Sequence, residues 1–277
     1  SNITQRPLNL SGSRAYDSTR TASGSDLSFT NIVSGETLGL TGSGVLDSPA
    51  AGTRTIVNTN TLAISDGSGI ATNYTLTNGT LTMTIVPRST TVSGTKTYDG
   101  TTNVASSNLT SFSNLAGSDT LSLSGTGTIS SADVGTGKTV NTSGLTIDNS
   151  SGVGSNYTLS AATVNVTERV IGLSGVRAFD GTNNASSTDL SISNLVSGEN
   201  LTLSGSGTVP NATVEMNKAI SLGSLSISDG SGGKSSNYTL TGGSHTLDIS
   251  QLSVNVTGSR QYAVSYTHLR AHETHEN

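Results

Sequence analysis

The sequence predicts an all-β chain, a tandem array of small β-sandwich or β-grasp-like modules of roughly 80 residues forming an elongated rod. Three observations predict it. The aromatic positions Tyr16, Tyr98, Phe179 and Tyr262 follow one another at 82, 81 and 83 residues. Leucine pairs alternate with Ser, Thr or Gly at Leu38/Leu40, Leu121/Leu123 and Leu201/Leu203, the period of a strand with one buried face. The polar residues are mostly Ser, Thr, Asn and Gly rather than Lys and Glu, a composition that disfavours helices and suits strands and turns.

Taken in order, residues 1–8 read as the last strand of a preceding module. Modules follow at 9–88, 89–170 and 171–252, and 253–263 reads as the start of a truncated fourth. Residues 264–277 break the repeat, carry three of the four histidines, and resemble a translated sequencing adapter. Each module opens on a short strand ended by Asp-Gly, a hairpin or tight-turn dipeptide, with Asp17-Ser18 in the first copy. A Ser/Asn-rich connection leads to the first leucine alternation. A second alternation follows at Leu62/Ile64, Leu145/Ile147 and Leu225/Ile227, then a polar loop and the most literal repeat, Asn-Tyr-Thr-Leu. The links between modules are only a few residues long, so neighbours are expected to abut.

The formal charge is −5, with 13 basic and 18 acidic residues, which offers no basic field for nucleic acid. No apolar stretch is long enough to span a membrane. The chain has no cysteine, and outside the terminal segment His245 is its single histidine. No nucleophile elbow or phosphate loop is present, and no carboxylate pair recurs at fixed spacing. The expectation is a non-catalytic chain with no cofactor.

The candidate residues are those that recur. Tyr16-Asp17, Tyr98-Asp99-Gly100 and Phe179-Asp180-Gly181 form one motif, and Asn73-Tyr74, Asn156-Tyr157 and Asn237-Tyr238 the other. The aromatics read as core residues ahead of turns, with carbohydrate stacking as the alternative, and the Asn side chains as turn formers. Arg14, Lys96, Arg177 and Arg260 recur two residues before the aromatic. They pair locally with an acidic residue or form a ladder facing an anionic glycan. Asp66, Asp148 and Asp229 are the calcium candidates. Each loop supplies one carboxylate where calcium wants several donors, so turn chemistry is the reading and no metal is expected.

The recurring Tyr-Asp-Gly and Asn-Tyr-Thr-Leu signatures make residues 1–263 resemble the YDG-type repeats of bacterial filamentous-haemagglutinin-like surface proteins. The departures are Ser18 for Gly, Phe179 for Tyr and Ala263 for Asp. The resemblance implies a repetitive stalk or adhesive segment of a large secreted protein at the bacterial cell surface, without catalytic residues. Its implied partners are neighbouring modules, host or biofilm glycans and other surface proteins. A lectin-like module and a calcium-rigidified extender are the alternatives.

Overall fold

The structure is a computed structural model and describes residues 3–260. It is all-β, with three repeats of about 80 residues in tandem. The second repeat shows the design most completely. Its central sheet runs in the order Leu109–Ser113, Arg88–Thr97, Tyr157–Thr167, Gly135–Thr139. The two inner strands are parallel, with Val92 opposite Ala162 and Lys96 opposite Val166, and each outer strand is antiparallel to its neighbour. A second, antiparallel sheet joins Asn103–Ala105, Leu121–Thr128 and Leu145–Asn149.

Parallel neighbours need a long crossover. Here the crossover is the rest of the repeat, so the first strand of each copy lies beside its last. The pattern recurs as Leu10–Ala15 beside Thr82–Val86 and as Gly172–Ala178 beside His245–Ser250. Alternation along these strands buries Val92, Ala162, Val164 and Val166, while buried Leu109 lies on the flanking strand and buried Val104 on the second sheet. Each fully buried Val or Leu stabilises the fold by about 1.5–3 kcal/mol.

The Ser-Gly that opens each motif has a steric cause. A Cβ on Gly94 would lie 1.7 Å from the Asn108 carbonyl oxygen, where the strand passes its antiparallel neighbour and the register shifts. Gly12 and Gly175 face the carbonyls of Asp26 and Asp189 at 1.8 and 1.9 Å in the same way.

Asp99-Gly100 does not close a hairpin. The strand it ends pairs with Leu109–Ser113, whereas the segment that follows, Asn103–Ala105, pairs with Leu121–Thr128. The turn therefore moves the chain from one sheet to the other. Asp99 holds it by accepting from the N–H and hydroxyl of Thr101, both at 2.9 Å.

Residues 6–8, expected from the sequence to end a preceding module, are built into the first repeat. Arg6–Pro7 pair in parallel with Tyr74–Thr75, and Leu8 is fully buried. Residues 251–260, which include Arg260, form no regular element. Tyr262, Ala263 and the adapter-like segment 264–277 lie outside the described residues.

The chain divides into two compact units. The first holds the residues through Gly172 together with Ser193–Thr202 and Ile227–Gly243. The second holds Leu173–Ile192, Leu203–Ser226 and the described residues that follow Gly243. Its sheet has the order Leu190–Ser193, Gly172–Ala178, His245–Ser250, Glu215–Ala219.

Candidate functional site, the tyrosine junctions

Both recurring motifs meet, but not within one repeat. Tyr16 of the first repeat stands edge to face on Tyr157 of the second, with ring centroids 5.4 Å apart at 75°. Tyr98 of the second stands on Tyr238 in the same way, at 5.4 Å and 78°. Both junctions lie inside the first compact unit. The Tyr-Asp-Gly corner of one repeat is thus a plug, and the Asn-Tyr segment of the next is its socket.

A carboxylate of the socket repeat completes each junction. Tyr16 Oη donates to Asp119 Oδ2 at 3.1 Å and Tyr157 Oη donates to the same atom at 2.6 Å. Tyr98 and Tyr238 divide Glu199, donating to Oε1 at 2.5 Å and Oε2 at 2.7 Å. The socket tyrosine is held from behind, because its oxygen accepts from a backbone N–H, Ala116 for Tyr157 and Val196 for Tyr238, both at 3.1 Å. Burial first, and then the hydrogen bond to Asp119, pushes the Tyr157 hydroxyl up to about 12. Burial and Glu199 act on Tyr98 in the same direction, well above the ordinary tyrosine value. These hydroxyls stay protonated and serve as donors.

The Asn before the socket tyrosine makes a second tie. Asn156 Oδ1 accepts from the Ala51 N–H at 2.8 Å, and Asn237 Oδ1 accepts from the Val134 N–H at 2.9 Å. Both side chains are buried. Their role is to bridge repeats, which extends the turn-forming role expected of them. The second junction has an added ion pair, Lys234 Nζ to Asp133 Oδ2 at 2.7 Å, and Asn237 Nδ2 donates to Asp133 Oδ1 at 2.9 Å. Hydrogen bonds from Lys234 and then Asn237 hold the Asp133 carboxyl down at about 2.

Tyr16, Tyr98, Tyr74, Tyr157 and Tyr238 are all buried, while Phe179 is 39% exposed and departs from the core reading. The physical reason is visible in the other two copies. There the aromatic is covered by the following repeat, so burial is a property of the junction and not of the motif alone.

The basic ladder does not face outward as a row of free cations. Arg14, Lys96 and Arg177 pair with Asp17, Asp99 and Asp180, three residues on in each motif. Lys96 is 4% exposed, and its ammonium also donates to the carbonyls of Thr101 and Asn103 at 3.0 and 2.6 Å. Arg14 and Arg177 likewise donate to carbonyls of their own corner. The charge fastens the turn. Arg260 lies exposed.

The calcium candidates do not share a register. Asp66 and Asp229 accept from the N–H of Ala71 and Ser235, at the start of the short 3-10 turn that precedes each socket tyrosine. In the second repeat that place belongs to Asn149, which accepts from Gly154, whereas Asp148 sits one residue earlier, paired with Ser122. A neutral amide does the same work as the two carboxylates, which is turn chemistry. Among the described residues no three His, Cys, Asp or Glu side chains gather as a metal site.

Sequence reasoning missed Glu36, Asp119 and Glu199. They recur at spacings of 83 and 80 residues, three positions after Val33, Ala116 and Val196, inside the Ser/Gly turn. The alternation of Glu and Asp hid them.

An all-β chain whose repeats engage through a tyrosine plug and a tyrosine–carboxylate socket is a tandem-repeat protein of junction-forming modules. The family model of the YDG domain matches it three times, over residues 3–83, 80–165 and 167–247, and the chain belongs to that family. No curated protein matches the chain.

Proposed function

We propose that this chain is a non-catalytic structural segment, a stalk of a large secreted bacterial surface protein that carries binding functions away from the cell. The observation that supports it most is the use each repeat makes of its recurring residues. Tyr16, Tyr98, Asn156, Asn237, Asp119 and Glu199 all serve to fix one repeat against the next. Residues devoted to coupling repeats are those a spacer needs, because coupling limits bending between neighbours. Burial of Tyr16, Tyr98, Tyr157 and Tyr238 withholds their ring faces from sugars, which favours the spacer over the lectin-like reading.

The test is to pull the full chain by its ends in an optical trap, beside a variant carrying Asp119→Ala and Glu199→Ala. A stalk predicts that the variant yields at lower force and in less coordinated steps. Saturable binding of the wild-type chain to surface polysaccharides, with pulling curves unchanged by the two substitutions, would overturn the proposal in favour of a glycan-binding module.

A further inference from the structure

The two junctions share one design but not the same residues, and where they differ, both sides differ together. The corner residue after the plug aspartate is Ser18 in the first junction and Gly100 in the second. Both sit in the left-handed region, at φ +66° and +75°, where the backbone alone favours glycine. Ser18 therefore has a reason outside its own turn. Its Oγ lies 3.0 Å from where a Gly117 Cβ would stand, so the glycine of the socket leaves the room that the serine takes. In the second junction the bulk is on the other side. Its socket carries Val196 and Ser197 at the places of Ala116 and Gly117. The plug there is glycine, and a Cβ on Gly100 would come 2.7 Å from Val196 Cγ1.

A second pair of places behaves in the same way. Asp133 of one repeat and Lys234 of the next are joined at 2.7 Å. The corresponding places of the first junction hold Ala50 and Val153, both uncharged. Neither junction carries one half of the charge pair without the other.

We propose that these paired differences are keys that decide which repeat docks on which, so that each plug selects the socket of its own neighbour. A chain of similar repeats risks engaging the wrong socket while it folds, in its own molecule or in another. A serine corner in the Val196 socket would enter space that Val196 already fills. A glycine corner in the Ala116–Gly117 socket would leave a void and take Lys234 away from Asp133. The steric key is the stronger of the two, because Asp133 and Lys234 are both partly exposed and an exposed ion pair adds little stability. The keys act alike in a spacer and in a glycan-binding array, so the inference stands apart from that choice.

The experiment re-keys the full chain. In the wild-type background Gly100→Ser should raise the unfolding equilibrium constant by about tenfold or more. Beside Val196→Ala and Ser197→Gly the same change should cost much less, because that socket then matches the one Ser18 occupies. Backbone strain at position 100 is common to both backgrounds and drops out of the comparison. A second variant gives both junctions the same keys, with Ser18→Gly, Ala116→Val, Ala50→Asp and Val153→Lys. Each of its junctions is matched, so its urea midpoint should stay near wild type. On refolding from urea over a concentration series, its share of dimers and larger species in size exclusion should rise about tenfold or more over wild type, because the sockets no longer differ. The proposal is overturned if Gly100→Ser costs the same in both backgrounds, or if the uniformly keyed chain refolds to the same monomer fraction as wild type.

Discussion

Tyr16 and Tyr157, 141 positions apart in the chain, direct their hydroxyls at a single oxygen of Asp119. The edge-to-face contact favours one mutual angle of the rings, and the shared acceptor adds a fixed point for both hydroxyls. One repeat supplies one hydroxyl; the next supplies the other hydroxyl and the carboxylate.

Removing the acceptor should therefore cost more than its own contacts suggest. Asp119→Ala leaves two hydroxyls with small exposure and no carboxylate to donate to. A loss of about 1–3 kcal/mol is expected, the desolvation cost of unpaired buried polar groups. Urea denaturation with Tyr16→Phe and Asp119→Ala, alone and combined, checks it. Strict additivity of the two would show that the residues do not act together.

Alkaline pH should loosen the same junctions. Tyr16, Tyr98, Tyr157 and Tyr238 are all raised above the ordinary value of 10.0, through burial first and then through their carboxylate partners. Their stabilising contribution is fully present below pH 10.0. Above it the unfolded chain releases tyrosine protons that the fold retains, so stability falls with rising pH, through about 12 for Tyr157. The urea midpoint, followed from neutral pH up to about 12, should drop, and Tyr157→Phe should make the drop shallower. An equal slope in the variant would refute the assignment.

Acid should act on the second junction through Asp133. Asp133 has an ordinary value of 3.8 and is held at about 2 in the fold by Lys234 and Asn237. Its contribution is present above pH 3.8 and is lost as pH falls toward 2. The first repeat has Ala50 at the corresponding place, so the Tyr16–Tyr157 junction has no such contribution. Asp133→Asn should flatten the acid limb of a stability profile between pH 3.8 and about 2, and an unchanged limb would count against this pair.

The glycine of the corner is a junction residue as well as a turn residue. Gly100 and Gly181 both have positive φ, at +75° and +83°, so alanine strains the backbone at either place. At Gly100 alone the new Cβ also meets Val196. Gly100→Ala should therefore cost about 1–3 kcal/mol more than Gly181→Ala, the usual penalty of overpacking. Equal losses in thermal or urea unfolding would mean the Val196 contact yields freely.

Much of this was legible because the chain writes itself three times. Repetition exposed Tyr16, Tyr98, Tyr74 and the Asn-Tyr pairs, and period-two leucines marked the strands. Pairing was not legible: Val92 and Ala162 lie beside each other across a parallel crossover that no local pattern announces. The partner of each plug was hidden for a related reason. A motif that recurs once per repeat looks like a core of its own repeat, and only the folded chain shows that Tyr98 completes the repeat that follows it. Phe179, lacking such cover, is the exception that exposes the rule.

The inward basic residue gives the last test. Lys96 is nearly buried, 2.8 Å from Asp99, with two backbone carbonyls as further acceptors. Burial opposes ionisation of Asp99, yet the bonds from Lys96 and Thr101 outweigh it and hold the carboxyl below its ordinary value. The first and third repeats place Arg14 and Arg177 at this position, each on the aspartate of its own motif. A guanidinium thus fits the same corner, and Lys96→Arg should change stability by less than about 1 kcal/mol, the scale of a swap that keeps both charge and donors. Lys96→Met keeps the stem and removes the donors, leaving the carbonyls of Thr101 and Asn103 without their charged partner, at a cost of about 1–3 kcal/mol. A ligand-facing cation would give the opposite ranking: methionine, which is easier to bury, would stabilise the fold, and only ligand binding would suffer. Urea unfolding of the two variants separates these cases, because a fastening role requires Lys96→Met to lower the midpoint while Lys96→Arg leaves it near wild type.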